Sequence, residues 1–208
     1  QYAEDTYLSM DLESNPSSKV RFMVMGNIGR LQDMPSVLRA VNLIKHRDDF
    51  ELHIVGTGSV IGDCERYVTD NGLEGKVIFH GRHPFEEMPG FYRKADACIL
   101  TLNVSGAPWI SSTLPSRLQG YMAAGKPILA AISGSAAEVI RESGCGRAAP
   151  AGDSAGLAAL MEDFIDNRVA YSGCGEAGRR YFRANFTKDR YMDEIESLLI
   201  ATAERKDS

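Results

Sequence analysis

The chain has 208 residues, 44% of them hydrophobic, enough for one sizeable core or one domain with appended helices. Lys and Arg number 23 against 28 Asp and Glu, so the net charge is −5, which argues against a nucleic-acid-binding surface. No run approaches the length of a membrane-spanning helix, none reads as a secretory signal, and Cys64, Cys98, Cys145 and Cys174 form no C-x-x-C pair. The cysteines read as buried free thiols of a cytoplasmic protein, and no metal site is expected.

Gln1 to Lys19 is polar, lacks clear periodicity and reads as a linker from an upstream domain. Val20 to Met25, VRFMVM, is a compact apolar run that predicts a buried strand. Gly26-Asn27-Ile28-Gly29-Arg30 follows, where glycines permit a tight turn and close backbone approach. A helix comes next, with Asp33 or Ser36 as its cap, Pro35 in its first turn, and Val37, Val41 and Ile44 on its apolar face. Leu52 to Val55 predicts a second strand, ended by Gly56-Thr57-Gly58-Ser59, and Ile61 to Asp70 a helix stopped by Asn71-Gly72. Val77 to Phe79 predicts a third strand that empties into His80-Gly81-Arg82-His83-Pro84, then a helix through Met88 and Tyr92. Arg82 and His83 can stack on or bond to a flat ring, or they are exposed turn residues.

Ala97 to Leu102, Pro127 to Ile132 and Arg147 to Pro150 predict further strands, with Ser133-Gly134-Ser135 capping the helix of Val139 and Ile140. The remainder is helical: Ala155 to Ile165 behind an Asp153 cap, then Glu176 to Phe182 with Arg179, Arg180 and Arg183 on a solvated face. Thr187 caps a last helix whose stripe of Tyr191, Ile195, Leu198 and Leu199 faces either the core or a second domain.

Strands alternate with helices, and each strand is a near-continuous apolar run, the pattern of a doubly wound parallel sheet in an α/β fold. The stretch Gly106 to Pro127, GAPWISSTLPSRLQGYMAAGKP, is the most informative. Pro115 suits the first turn of its helix, Thr113 can cap, and Gly125 can take the left-handed C-terminal position. The helix start combines orphan N–H groups and the positive dipole end with Ser112, Thr113, Ser116 and Arg117, which suits a phosphate; an ordinary capped helix looks the same. In parallel sheets ligands bind outside the carboxyl ends of strands, so the loops Asn27–Asp33, Gly81–Pro84 and Ser105–Ser116 are expected to converge on one cleft.

GNIGRLQ, HIVGTGS, VIFHGRHPFEEMPGFYRKAD, LPSRLQGYMAAGKPILA and RRYFRANFT occur in that order. The ordered set resembles the C-terminal, donor-binding, Rossmann-like domain of retaining glycosyltransferases of the GT-B fold, family four, closest to a bacterial surface-polysaccharide branch. The resemblance covers nearly the whole chain from Val20 onward. It implies a nucleotide-sugar donor, often a uridine diphosphate sugar, no metal cofactor, an N-terminal acceptor domain upstream and a glycan or lipid-linked acceptor. It also implies a cytoplasmic enzyme, peripheral to the inner membrane face through the other half. It maps the sugar-diphosphate loop onto Asn27, Gly29, Arg30 and Gln32, with Asn27 and Gln32 in the places of a common Arg and Lys. The base falls to Arg82 and His83, and the diphosphate and ribose to Thr113, Ser116 and Arg117. Relatives carry two glutamates eight apart in the focal stretch; Ser112 and Gly120 stand near those places here. A rival expectation follows: a non-catalytic module that keeps the fold and serves partner assembly. A dehydrogenase is disfavoured, because the loop after the first strand, with only Gly26 and Gly29, is not G-x-G-x-x-G and no acidic residue ends the second strand.

Overall fold

A computed structural model describes residues 4–10, 17–103 and 111–204. Six parallel strands form one sheet: β1 (Val20–Met25), β2 (Phe50–Val55), β3 (Val77–Gly81), β4 (Ala97–Thr101), β5 (Ile128–Ala131) and β6 (Gly146–Ala149). Their spatial order is β3-β2-β1-β4-β5-β6, so the direction of strand addition reverses between β1 and β4. The central strands are buried on both faces, which is why they read as unbroken apolar runs.

One face is covered by α2 (Met34–Leu43), α3 (Ile61–Asn71) and α7 (Ser154–Asp166). Val20, Phe22 and Val24 of β1 point into that core with Val37, Val41, Met161 and Phe164. The alternate residues Met23 and Met25 point the other way. There they meet Tyr92 of α4 (Met88–Lys94), Leu118 and Tyr121 of α5 (Ser116–Ala123), Ile140 of α6 (Ser135–Ser143) and Phe182 of α8 (Cys174–Asn185). The expected doubly wound α/β sheet is therefore present, with α8 and α9 (Lys188–Glu204) appended.

The β1–β4 ladder pairs Phe22 with Ala97 and Met23 with Cys98 and goes no further, so the two strands part toward their carboxyl ends. The Met25 N–H, beyond the last pair, donates to the Tyr121 hydroxyl at 3.0 Å. That bond ties α5 to the end of β1 at the point where the sheet opens.

Several local expectations need correction. Pro115 is extended (φ −63°, ψ 134°) and sits outside α5 as its N-cap, rather than in its first turn. Asp33 holds the N-cap position of α2 with φ 44° but makes no capping bond. Ser36 accepts from the Arg39 guanidinium instead. Gly134, not a serine, is the N-cap of α6. The Asp153 cap is present, accepting from the Gly156 N–H at 2.8 Å. Arg179 is buried rather than solvated, 8% exposed. The stripe of α9 is not core-facing: Tyr191, Leu198 and Leu199 are all more than half exposed. Part of the presumed linker is ordered as helix α1 (Glu4–Leu8), with Tyr7 and Met10 buried against the α5 side of the sheet.

At the β2–β3 edge the α5 side of the sheet turns polar. His53 and His80 stack with ring centroids 5.1 Å apart and share a hydrogen bond of 2.8 Å, while the other His53 nitrogen meets Glu51 at 3.2 Å. Burial pushes His53 below the ordinary histidine range, helped by Arg21 and Lys94 and opposed by Glu51. Burial likewise lowers His80, with His53, His83 and Lys94 adding to the effect.

Two predictions follow from these contacts. Tyr121→Phe keeps the ring but strands the Met25 N–H, and should lower the unfolding free energy in urea by about 1–3 kcal/mol. An unchanged midpoint contradicts the proposed tie. For the histidines, the unfolded chain takes up protons first as acid is added, so stability is lost as pH falls below about 6.5. The thermal midpoint should therefore drop more steeply from about pH 7.5 to about pH 5.5, one unit either side of the ordinary value, in the wild type than in His53→Gln, and parallel curves would contradict this assignment.

Candidate functional site

The parting of β1 and β4 opens a cleft of about 780 Å³ at the carboxyl edge of the sheet. This is the size of a small-molecule site, and it lies where open α/β sheets bind ligands. Three loops meet there. The loop after β1 contributes Gly26, Asn27 and Gln32, the loop after β3 contributes Arg82 and His83, and the segment before and into α5 contributes Thr113, Ser116, Arg117 and Gln119. A second hollow, about 500 Å³ beside α9, is lined by Arg190, Asp193, Glu194, Ser197 and Leu198 of that one exposed helix.

The loop after β1 is held by its own bonds. The Gly29 N–H donates to the Gln32 side-chain oxygen at 2.9 Å, and the Gln32 N–H returns to the Gly29 carbonyl at 3.2 Å. The Thr101 hydroxyl donates to the Gln32 carbonyl, and the Asn103 N–H to that of Leu31 at 2.8 Å. The Ile28 N–H reaches the Thr57 carbonyl at 3.0 Å, bringing the loops after β1 and β2 together. That approach requires glycine: Gly26 has φ 109°, and a Cβ on Gly56 would lie 1.9 Å from the Gly26 carbonyl oxygen.

Arg117 sits one helical turn before Tyr121 on α5. Its guanidinium donates to the Asn27 carbonyl and covers Gly26. Two residues of α5 thus grip the end of β1, one by its backbone N–H and one by the carbonyl just beyond. The N–H groups of Ser116 and Arg117 open the helix and have no intrahelical partner. On the third wall, the His83 imidazole bonds to Glu87 at 2.6 Å and to the His80 carbonyl at 3.1 Å, and lies against Phe91.

Of the ten sequence-derived candidates, Asn27, Gln32, Arg82, His83, Thr113, Ser116 and Arg117 line this cleft. Gly29, Arg30 and Ser112 do not, and Arg30 is exposed on the short turn of 3-10 helix from Arg30 to Gln32. The first part of the focal stretch, residues 106–110, lies outside the described residues. The residues that motif reading missed are mainly apolar: Tyr7, Leu31, Phe85, Met88, Tyr92 and Phe182. Tyr7 carried no signal, because it stands in a polar stretch far from every loop in sequence.

The lining has a clear electrostatic sign. Arg82 and Arg117 contribute cations, and among the described residues no Asp or Glu lines the cleft. A concave site with one sign of charge and low-dielectric walls concentrates the opposite sign, here anions. Gly120, at the place where a glutamate was expected, is part of the wall, and a Cβ there would come 3.2 Å from the Tyr92 hydroxyl. Among the described residues there is no group of three or more His, Cys, Asp or Glu that could hold a metal ion.

The family model described as "Glycosyl transferases group 1" matches residues 19–167. A probable glycosyltransferase of Pseudomonas aeruginosa, WbjE, is 26% identical over 169 residues, covering 80% of this chain and 40% of its own length. The chain thus spans about two fifths of the length of that curated relative. The Anabaena protein HepE in complex with UDP superposes with a TM-score of 0.76 at 16% identity, covering 88% of this chain and 49% of that one. The C-terminal domain of LpcC, a group 1 family glycosyl transferase from Francisella tularensis, gives 0.68 at 17%, covering 83% and 88%. With the matched segment running from the start of β1 to the end of α7, this chain belongs to the group 1 glycosyl transferases and has the fold of their GT-B C-terminal domain.

Proposed function

We propose that the cleft binds the nucleoside diphosphate of a sugar donor, with uridine diphosphate the expected carrier. The whole protein then transfers the sugar, with retention, to a glycan or lipid-linked acceptor in surface-polysaccharide synthesis. The observation that carries this reading is a cleft of about 780 Å³ at the strand-order switch, walled by Arg82 and Arg117 and by no carboxylate among the described residues.

The roles follow from position. The opening of α5 and the Arg117 guanidinium take the diphosphate, with Ser116 and Thr113 hydroxyls beside them. Fixed donors of this kind stabilise the charge that develops on the diphosphate as the glycosidic bond breaks, in the place a divalent metal would otherwise fill. Arg82 and His83 flank the base, and Asn27 and Gln32 face the sugar side. The ribose hydroxyls fall to Gln119, an uncharged substitute beside Gly120. Arg30 and Ser112 have no part in this reading, since neither borders the cleft. The acceptor groups come from a domain beyond these 208 residues, so the chain alone binds donor and transfers nothing. No helix among the described residues is long and apolar enough to cross a membrane. A cytoplasmic enzyme that meets the inner membrane face through its other half fits the reading.

One observation favours a second reading. Among the described residues no carboxylate borders the cleft to hold a ribose, which suits a module that has kept the fold for assembly with partners.

Isothermal titration separates the two. Uridine diphosphate should bind the chain, guanosine diphosphate more weakly, and Arg117→Ala should weaken the uridine nucleotide about 10- to 100-fold through loss of charge-assisted bonds. Equal affinity in the variant removes Arg117 from the site. No heat with uridine, guanosine or adenosine diphosphate favours the assembly module.

A further inference from the structure

Arg179 and Tyr7 lie 172 positions apart and meet behind the cleft. The buried Arg179 guanidinium donates to the Ala123 carbonyl at 3.3 Å and the Ala124 carbonyl at 3.4 Å, at the carboxyl end of α5. It also donates to the carbonyls of Tyr7 at 3.4 Å and Met10 at 2.7 Å, in the segment of α1. One cation therefore satisfies the end of a helix and pins an N-terminal strap to it. The room for it is built in: Gly125 has φ 68°, and a Cβ there would come 2.5 Å from the Arg179 Nε. Arg179 itself does not line the cleft, so its role is mechanical.

What the strap delivers is the Tyr7 ring. It packs edge-on against Tyr92 at 4.9 Å and tilted against Phe85 at 5.6 Å. Tyr92 in turn meets Tyr121 at 6.1 Å, whose hydroxyl takes the Met25 N–H. Phe85, Tyr7, Tyr92 and Tyr121 thus form a column of aromatic contacts from the loop after β3, through the strap and α4, to α5 and the end of β1. Tyr7 is the link between Phe85 and the rest. Phe85 is 47% exposed and lies two residues after His83; Glu87, the His80 carbonyl and Phe91 hold the His83 ring, and Tyr7 packs against the Phe85 end of the turn. Burial pushes the Tyr7 phenol up to about 12, which keeps it neutral among these rings.

We infer that Tyr7, held in place by Arg179, is a positioning residue for the Arg82–Phe85 turn, so that a segment before β1 sets how this site reads the base of its nucleotide. The nucleotide half of this inference rests on the function proposed above; the hold on the turn does not. Ordering an aromatic wall costs little flexibility, and a site whose supporting residues are loose loses affinity in the part they support.

Two measurements on the chain as it stands test this. Hydrogen–deuterium exchange without ligand reads the turn itself. Tyr7→Ala should speed exchange over residues 82–88 about tenfold, leave β5 and β6 unchanged, and Tyr7→Phe should match the wild type. Titration reads the consequence: Tyr7→Ala should weaken uridine diphosphate about tenfold and leave inorganic pyrophosphate, which has no base, within about twofold. If Tyr7→Ala does not fold, Tyr7→Leu keeps apolar bulk without the edge-on contacts and should move both readouts in the same directions. Unchanged exchange over 82–88 overturns the inference, as does equal weakening of the nucleotide and pyrophosphate, which a general loss of structure would produce. Faster exchange in a chain whose wild type binds no nucleotide supports the strap's hold on the turn and discards the proposed donor site instead.

Discussion

The site exists because β1 and β4 stop pairing at Met23 and Cys98 and α5 takes over the free end of β1. A buried N–H without a partner is costly, so the open end of a central strand needs an acceptor. Tyr121 supplies it to Met25, and Arg117 one turn away supplies a donor to the Asn27 carbonyl. The same helix thereby closes the backbone requirements of the split sheet and brings a cation and its own N-terminus to the mouth of the cleft. Stability and function draw on one contact surface, and the position of Arg117 is fixed by the fold rather than by a ligand.

Around that joint the walls are set by two different means. The loop after β1 is rigid through its own hydrogen bonds and the close approach of Gly56. The turn after β3 has few such bonds. His83 is steadied by Glu87 and Phe91, and beyond it Phe85 packs against the Tyr7 ring of α1. The side of the cleft next to β1 is thus bounded by backbone geometry and the side next to β3 by packing, which on the proposed reading suits a fixed charge at one side and a variable ring at the other.

Much of the architecture could be read from the residues because buried parallel strands are unbroken apolar runs, and VRFMVM, LHIV and ACIL could hardly be anything else. The convergence of three loops followed from the strand–helix alternation, and seven of ten candidate residues border the cleft as expected. What escaped has physical causes. Arginine is taken as a surface residue, yet Arg179 is buried because four carbonyls surround its guanidinium. The five-residue α1 is too short for a periodic signal and is fixed by tertiary contacts. The α9 stripe reads like a core face, but Tyr191, Leu198 and Leu199 are exposed, since periodicity shows that a face is apolar and not what covers it. The resemblance maps Arg30 onto the sugar-diphosphate loop; here Arg30 lies on the 3-10 turn and is not part of the cleft lining.

The central claim is that the opening between β1 and β4 receives a nucleoside diphosphate with its phosphates at the start of α5. Backbone amide chemical shifts of the labelled chain, followed as uridine diphosphate is added, test it most directly. The account predicts that the responding amides cluster at Gly26–Asn27, Arg82–His83 and Thr113–Arg117, with pyrophosphate alone moving the third group and not the second. Shifts scattered over the surface, or concentrated at α9, would contradict it.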